Sequence, residues 1–313
     1  MLRLVPLTSD PEAAVRRIAV ALPSFELSAE ETARRLPGLA ESVRSGDAPG
    51  ALLADGERTV GVALWDPTSP LGLTLELLAL DVGEQTVARY TEALDAIGGS
   101  GGPVAFAPGI WPGVPGPEQG RAMAARGFTP FARSEMRYPA DRPPPSGAAP
   151  AGVTLRPVTE EDRGPLAALH ARAYRGLLDR YLFYRDPDDA RDAAQLVGEL
   201  FDGQWGPPRL DCSVAAEDGG RLVAATFLVD APYGPLIADV MVDPAERGRG
   251  LGRAVLGRSL VALRAAGETV AVLNVTDENV PALRLYESIG FVRSLGPSPG
   301  WYDRGRVPLV PSA

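Results

Sequence analysis

No regular element can run through PADRPPPSGAAPAG, residues 139–152. Proline lacks the backbone donor that a helix interior or a central strand requires, so the segment reads as an extended linker. It divides the 313 residues into two stretches of ordinary domain size. The same order of elements follows on either side. LRLVPLT (2–8) and LRPVTEED (155–162) each open as a short strand, followed by the helical patterns PEAAVRRIAVAL and RGPLAALHARAY. Two hairpins come next, with Asp-Gly turns at Asp55-Gly56 and Asp218-Gly219. Each half then shows a strand, a helix, a strand and a helix ending in Gly-Phe, in MAARGFTPF (123–131) and YESIGFVRS (286–294). The spacing is 290 − 127 = 163 between the two terminal glycines and 224 − 62 = 162 between Val62 and Ala224. A near-constant offset across different elements favours duplication over two unrelated domains that share generic parts. The expected fold class is α/β (α+β): two domains, each a mixed, mostly antiparallel sheet flanked by helices. The first covers 1–138, the linker 139–152 and the second 153–313.

The formal net charge of −9 argues against a nucleic-acid partner, which calls for a basic face. It is compatible with a cationic partner such as an amine. MLRLVPLTSDPEAAVRR lacks the basic-then-apolar order of a signal peptide, and no apolar run approaches a membrane span. The expectation is a soluble, cytoplasmic protein with no membrane association, a monomer or a homodimer. Cys212 is the sole cysteine, flanked by Asp211 and Ser213 in a strand-like stretch, and reads as an inert, half-buried thiol. One histidine and one cysteine cannot build a zinc site, so no metal is expected.

Chemistry concentrates in VDPAERGRGLGRAVLG (242–257). The preceding GPLIADVMVD (234–243) is an apolar strand pattern. Leu251, Val255, Leu256, Leu260 and Leu263 then fall on one helical face, with Gly267 as a stop. Glycine amides approach an anion closely, and a helix N-terminus adds unpaired N–H groups and partial positive charge. Arg247 and Arg249 add charged donors. The stretch therefore reads as a phosphate or pyrophosphate cradle, against the alternative of a tight turn with solvated arginines. It is not a P-loop, because Arg253-Ala254 follows Gly252, and not a dinucleotide fingerprint, because Val255 stands where a third glycine belongs.

The order strand, Pro244, Arg247-x-x-Gly250-x-Gly252, helix resembles the coenzyme A motif of the GNAT superfamily of N-acetyltransferases. The resemblance continues through VAVLNVTDENVPALRLYESIGFV (270–292), at Asn279, Ala282, Leu285-Tyr286 and Gly290-Phe291. It is close over 234–294, looser over 153–305 and weak over 1–138, implying two tandem GNAT-like domains. It implies acetyl-CoA as cosubstrate and transfer to a primary amine of a small molecule by direct attack through a tetrahedral intermediate. Backbone amides at Met241 and Val242 would hold the acetyl carbonyl and pantetheine. Those of Arg247, Gly248, Arg249, Gly250, Leu251, Gly252 and Arg253 would hold the pyrophosphate, and Asn279 would bond the pantetheine arm. Tyr286 would be the general acid, its phenol near 10 against a thiol near 8.5. Its other reading is a core aromatic on the face of Ala282 and Ile289. Asn279 also reads as the cap of its own helix.

For the base, Asp239 lies in the strand from which this family often recruits a carboxylate. Strand alternation sets it opposite Val240 and Val242 unless a bulge intervenes. Asp277, Glu278 and water are the alternatives. A strand splay near Asp239 would make room for the pantetheine. His170 reads as a helix-surface or satisfied, partly buried group. RYLFYRDPDDARDAAQL (180–196) occupies the variable substrate-facing region, where Tyr181, Phe183 and Tyr184 either line an acceptor pocket or anchor an ordinary loop.

The first half departs from the pattern. Met123 stands at the tyrosine position and Gly116 at the asparagine position. Gly83-Glu84 replaces the glycine-rich loop, and a glutamate there would repel phosphate. The expectation is a degenerate, non-catalytic domain without the usual coenzyme A contacts, with Trp111 as an anchor against the other half. The other functions left open are a mycothiol-synthase-like enzyme acting on an amino sugar–cysteine conjugate, a protein N-terminal acetyltransferase, and a non-catalytic coenzyme A sensor or interaction module.

Overall fold

A computed structural model describes residues 1–25, 29–67, 71–139, 141–183, 190–294 and 297–307. The chain divides into two compact units: Met1–Phe131 with Pro299–Pro308, and Ala132–Ser298 with Leu309–Ala313.

Unit 1 runs β1 (Arg3–Pro6), α1 (Pro11–Ala21), α2 (Ala29–Ser45), β2 (Gly50–Asp55), β3 (Arg58–Asp66), β4 (Leu73–Leu80), α3 (Val87–Gly101), β5 (Val104–Pro108) and α4 (Gly116–Ala125), and takes in the start of β6 (Phe128–Tyr138). Helix α1 starts where the sequence offers a cap: Asp10 accepts from the Ala13 amide and Pro11 fills the first helical position. Neighbouring strands of the β1-β2-β3-β4-β5 sheet pair antiparallel except β4 with β5, which are parallel because α3 crosses between them. The Asp55-Gly56 hairpin forms as expected, with Gly56 at φ +61°.

Unit 2 holds the rest of β6, then β7 (Val153–Pro157), α5 (Arg163–Ala173), α6 (Leu178–Phe183), α7 (Ala190–Phe201), β8 (Val214–Asp218), β9 (Arg221–Ala231), β10 (Gly234–Val242), α8 (Leu251–Ala265), β11 (Ala271–Thr276), α9 (Val280–Ile289) and β12 (Val292–Arg293). Its sheet runs β7-β8-β9-β10-β11-β6, antiparallel except for the parallel pair β10 and β11 joined by α8. The element order of unit 1 is thus repeated. Helices α5 and α7 cover one face through Leu166, Leu169, Val197 and Phe201; α8 and α9 cover the other through Leu256, Leu260, Leu283 and Tyr286.

Two strands fall on the other side of the boundaries drawn from the sequence. Residues 133–138 of β6 pair with β11 inside unit 2. Strand β13 (Ser298–Asp303) pairs with β5 inside unit 1, Trp301 opposite Ala107 and Tyr302 opposite Phe106. The reason is hydrogen bonding: each strand satisfies its backbone on a sheet remote in sequence.

The described residues of the proline-rich stretch form no helix or strand, and the stretch is not a free tether. Tyr138 donates to the Pro143 carbonyl, Arg142 to that of Gly290, and Arg264 of α8 to those of Pro139 and Arg142. A Cβ on Gly147 would stand 2.6 Å from the Arg258 amide, so only glycine passes this closely over α8.

Trp111 is a correction. It is buried in the core of unit 1, stacked on Tyr90 with centroids 5.1 Å apart, beside Met123. Cys212 is another: it lies in a turn before β8, fully buried. Burial, helped by Asp211, pushes its thiol up to about 11. At pH 8 the nucleophilic thiolate is scarce and shielded. Iodoacetamide is expected to leave the native protein unlabelled and to modify one cysteine per chain after unfolding, as read by mass spectrometry.

Candidate active site

The site forms where β10 and β11 part. They share a parallel register at Leu236 and Val272 and no further pairing beyond it. Strand β10 also carries a bulge, since Ile237 opposes Leu228 and Asp239 opposes Phe227, leaving Ala238 unpaired. Beyond the bulge, main-chain groups on the β11 side of β10 face a gap instead of a partner strand. This is the splay expected near Asp239. Alternation holds after the bulge: Asp239 and Met241 turn to the α5 face, while Val240 and Val242 pack among the α8 contacts.

The glycine-rich loop follows directly. Gly248 and Gly250 adopt left-handed φ of +79° and +80°. Gly250 caps α8 without a side chain, so the first amides of the helix, from Leu251, Gly252 and Arg253, are not spent on a side-chain cap. A Cβ on Gly252 would meet Leu285 at 2.9 Å, which is why α8 and α9 can approach here. The arginines are employed within the protein. Arg247 donates to the Ala173 carbonyl at 3.2 Å, Arg249 pairs with Asp218 at 2.8 Å, and Arg253 donates to Ser288 Oγ at 2.7 Å. Asp243 anchors the loop by accepting from the Ala245 amide and pairing with Arg172 and Arg221, at 2.9 and 2.8 Å. These partly exposed pairs fix geometry more than they stabilise. In unit 1 the matching helix differs: Thr86 caps α3 by accepting from the Arg89 amide, and Glu84 pairs with Arg89 there.

Tyr286 of α9 is 7% exposed and packs with Ile289 and against Phe291, ring centroids 5.9 Å apart. Burial first, then the charges of Asp239 and Asp179, hold its phenol well above the usual value. It is therefore a neutral O–H donor at any physiological pH, and its gap to a thiol is wider than the bare values suggest. Asp239 is 4% exposed. Tyr174 donates to its Oδ1 at 2.6 Å, and His170 Nε2 lies 2.9 Å from its Oδ2. The His170 and Tyr174 rings stack at 4.2 Å. Asp179 accepts from Arg133 at 3.1 Å and from Thr276 at 2.5 Å.

The acetyltransferase (GNAT) family model matches residues 172–291. A protein named mycothiol acetyltransferase from Thermobispora bispora is 31% identical over 266 residues, 80% of this chain and 84% of its own. The chain belongs to the GNAT acetyltransferase family. It is an acyl-CoA-dependent N-acetyltransferase by that membership. Two solved structures share its fold along nearly the whole length. A GCN5-related N-acetyltransferase from Sphaerobacter thermophilus has a TM-score of 0.59 at 16% identity, covering 96% of this chain and 94% of its own. A tandem GNAT protein from the clavulanic acid biosynthesis pathway has a TM-score of 0.52 at 16% identity, covering 96% and 98%.

In this GNAT chain, Tyr286 and Asp239 come within electrostatic reach of one another, and the loop residues 247–253 form one glycine-capped helix start. Asn279 does not extend a side-chain carbonyl toward the gap; its Oδ1 caps α9 by accepting from the Ala282 amide at 3.3 Å. Asp277 is occupied by Arg293 at 2.9 Å and by Ser134 at 2.8 Å. His170 is a correction: at 2% exposure it is a core group, neither on the helix surface nor partly buried. The stretch 180–196 is helical on both sides of residues 184–189, which lie outside the described residues together with Tyr184. Tyr181 is buried. Phe183 is 39% exposed, with the Arg133 guanidinium 4.7 Å over its ring. Sequence reasoning missed Tyr174 and Asp179. The available signal was the spacing His170-x-x-x-Tyr174, one turn on a helix. Among the described residues no group of ligands fits a metal and no helix is long and apolar enough to cross a membrane.

Proposed function

We propose that unit 2 transfers the acetyl group of acetyl-CoA to a primary amine of a small molecule. The observation that carries this reading is the gap beyond Leu236 and Val272 leading straight to an uncapped, glycine-led helix N-terminus. Such a start suits a pyrophosphate, through the amides of Arg247, Gly248, Arg249, Gly250, Leu251, Gly252 and Arg253. The free main-chain edge at Met241 and Val242 suits the pantetheine and the acetyl carbonyl, whose oxygen becomes negative on attack and requires donors. Asn279 keeps its side-chain N–H groups for the pantetheine arm while its carbonyl caps α9. Tyr286 donates a hydrogen bond and then its proton to the departing thiolate. Asp239 is the base. Unit 1 lacks the corresponding groups: Met123 cannot donate a proton, and Thr86 with Glu84 occupies the start of α3. Its role in this reading is structural.

The near-full-length likeness to a protein named mycothiol acetyltransferase favours a mycothiol-type acceptor within the class of small amines. Calorimetric titration of acetyl-CoA tests the reading. One site per chain is expected; two sites would give unit 1 a binding role, and no binding would sink the acetyl-CoA reading.

A further inference from the structure

We propose that unit 1 carries a counterpart of the gap in unit 2 and keeps it shut with its own side chains, Trp111 and Tyr90 lying where a ligand would lie. The likeness to a cofactor cleft rests on the acetyl-transfer reading of unit 2; the closure itself does not. The backbone around the two gaps follows one plan. Strand β4 carries a bulge, since Leu64 opposes Leu77 and Trp65 opposes Leu75, leaving Glu76 unpaired. Glu76 matches Ala238 of β10 at the offset 238 − 76 = 162. Strands β4 and β5 pair in parallel at Leu73–Val104 and Thr74–Phe106 and no further. Thr74 matches Leu236, the parallel contact of β10, at the same offset. Asp81 donates its amide to the Val60 carbonyl just as Asp243 does to that of Val223, both at 2.8 Å. Main-chain groups alternate in direction along a strand, so Leu80 presents its N–H and C=O to the free edge of β4 as Val242 does on β10.

At Leu80 that edge is already occupied. Its amide donates to Tyr90 Oη at 3.5 Å, and its carbonyl accepts from Gln85 Nε2 at 3.0 Å. Tyr90 in turn donates to the Pro112 carbonyl at 2.9 Å. It is the fourth residue of α3, where α8 has Ala254. The connection that follows β5 is also longer, 109–115 against 277–279 after β11, and the added chain folds inward. It passes so close to Gln85 that a Cβ on Gly113 would stand 2.2 Å from Gln85 Oε1. Gln119 of α4 ties it down, accepting from the Trp111 amide at 3.1 Å and donating to the Pro108 carbonyl at 3.3 Å.

Trp111 is thereby set flat against Tyr90, with 12° between the rings, in one cluster with Leu78, Leu80 and Met123, the residue at the tyrosine position. Trp111, Tyr90 and Met123 are 1%, 0% and 0% exposed, so no opening reaches the Leu80 edge past them. The indole Nε1 is buried without a hydrogen-bond partner. A buried tryptophan N–H usually finds one; this ring is held for its volume and its stacking. Closure also removes an exposed apolar cleft from a unit that does not catalyse.

Amide exchange, read residue by residue on the full chain, tests the closure. The Leu80 amide is expected to exchange slowly without ligand and to keep its rate, relative to Val62 in the same sheet, when acetyl-CoA is added. Protection gained at Leu80 relative to Val62 would mean that the gap opens and takes the ligand, and overturns the proposal. Val242 reports on the other reading: an amide there that ignores acetyl-CoA counts against acetyl transfer in unit 2 and leaves the result at Leu80 standing. Tyr90→Phe keeps the stack and removes only the hydroxyl, so exchange at Leu80 is expected to quicken roughly tenfold relative to Val62. An unchanged rate overturns the proposal. Trp111→Gly leaves a space shaped for free indole. One indole per chain is expected to bind this variant and raise its melting temperature, and none to bind the wild type, by calorimetry. A folded Trp111→Gly chain that takes no indole overturns the proposal, and the exchange at Leu80 decides it if that variant does not fold.

Discussion

Tyr286→Phe is expected to lower kcat by about 10²–10⁴ while leaving acetyl-CoA affinity nearly unchanged. The ring keeps its packing with Ile289 and Phe291, so only the hydroxyl is lost. A 100-fold loss corresponds to about 2.7 kcal/mol of the barrier. Calorimetry and steady-state rates on one preparation separate the two effects, and the melting temperature checks the fold. The pH dependence follows from the direction of the phenol's shift. Burial, Asp239 and Asp179 raise it, so the protonated acid is fully present below its ordinary pKa and persists above it. A fall in kcat on the alkaline side below pH 10 therefore belongs to another group. A coenzyme A sensor without turnover would be indifferent to the missing hydroxyl.

Gly250→Glu is expected to reduce acetyl-CoA affinity at least about 100-fold, from two causes. Gly250 sits at φ +80°, where an L residue costs about 1–2 kcal/mol. The new carboxylate would also stand at the helix start offered to a pyrophosphate, reversing the sign of the local attraction. Gly250→Asn separates the causes, because asparagine tolerates the left-handed region and adds no charge. The expected order of affinity is wild type, then Asn slightly weaker, then Glu far weaker, measured by titrating acetyl-CoA. Equal binding by all three would reduce the loop to a turn.

What the sequence disclosed and what it hid follow a physical division. The hairpins were legible because Asp-Gly turns are local signals, and β8 and β9 indeed close over Gly219 and Gly220. The α8 boundaries were legible because five leucine and valine positions share one helical face before Gly267. The splay near Asp239 was anticipated, with the bulge at Ala238 setting where it begins. Pairings between distant segments were not legible. Nothing in the local pattern of β6 or β13 says which sheet will accept its backbone. For the same reason Asp239 could be named while its two holders could not: His170 and Tyr174 lie on a helix far upstream, and only the fold brings their polar atoms to one carboxylate. The arginines of the loop illustrate the converse. Their sequence context suggested ligand contacts, yet each has an internal partner, because an acidic chain offers Asp218, Glu246 and backbone carbonyls close by.

The pairing of β13 with β5 bears on how the protein is made. Unit 1 begins at Met1, but Trp301 and Tyr302 complete its sheet, and a ribosome adds them only after all of Ala132–Ser298. Until then the exposed backbone of β5 is an open edge, the feature that invites wrong pairing. Nascent unit 1 must wait, shielded or unfinished, through the synthesis of its neighbour. A gene cut at the proline-rich stretch would therefore deliver two halves, one without its closing strand and the other without β6.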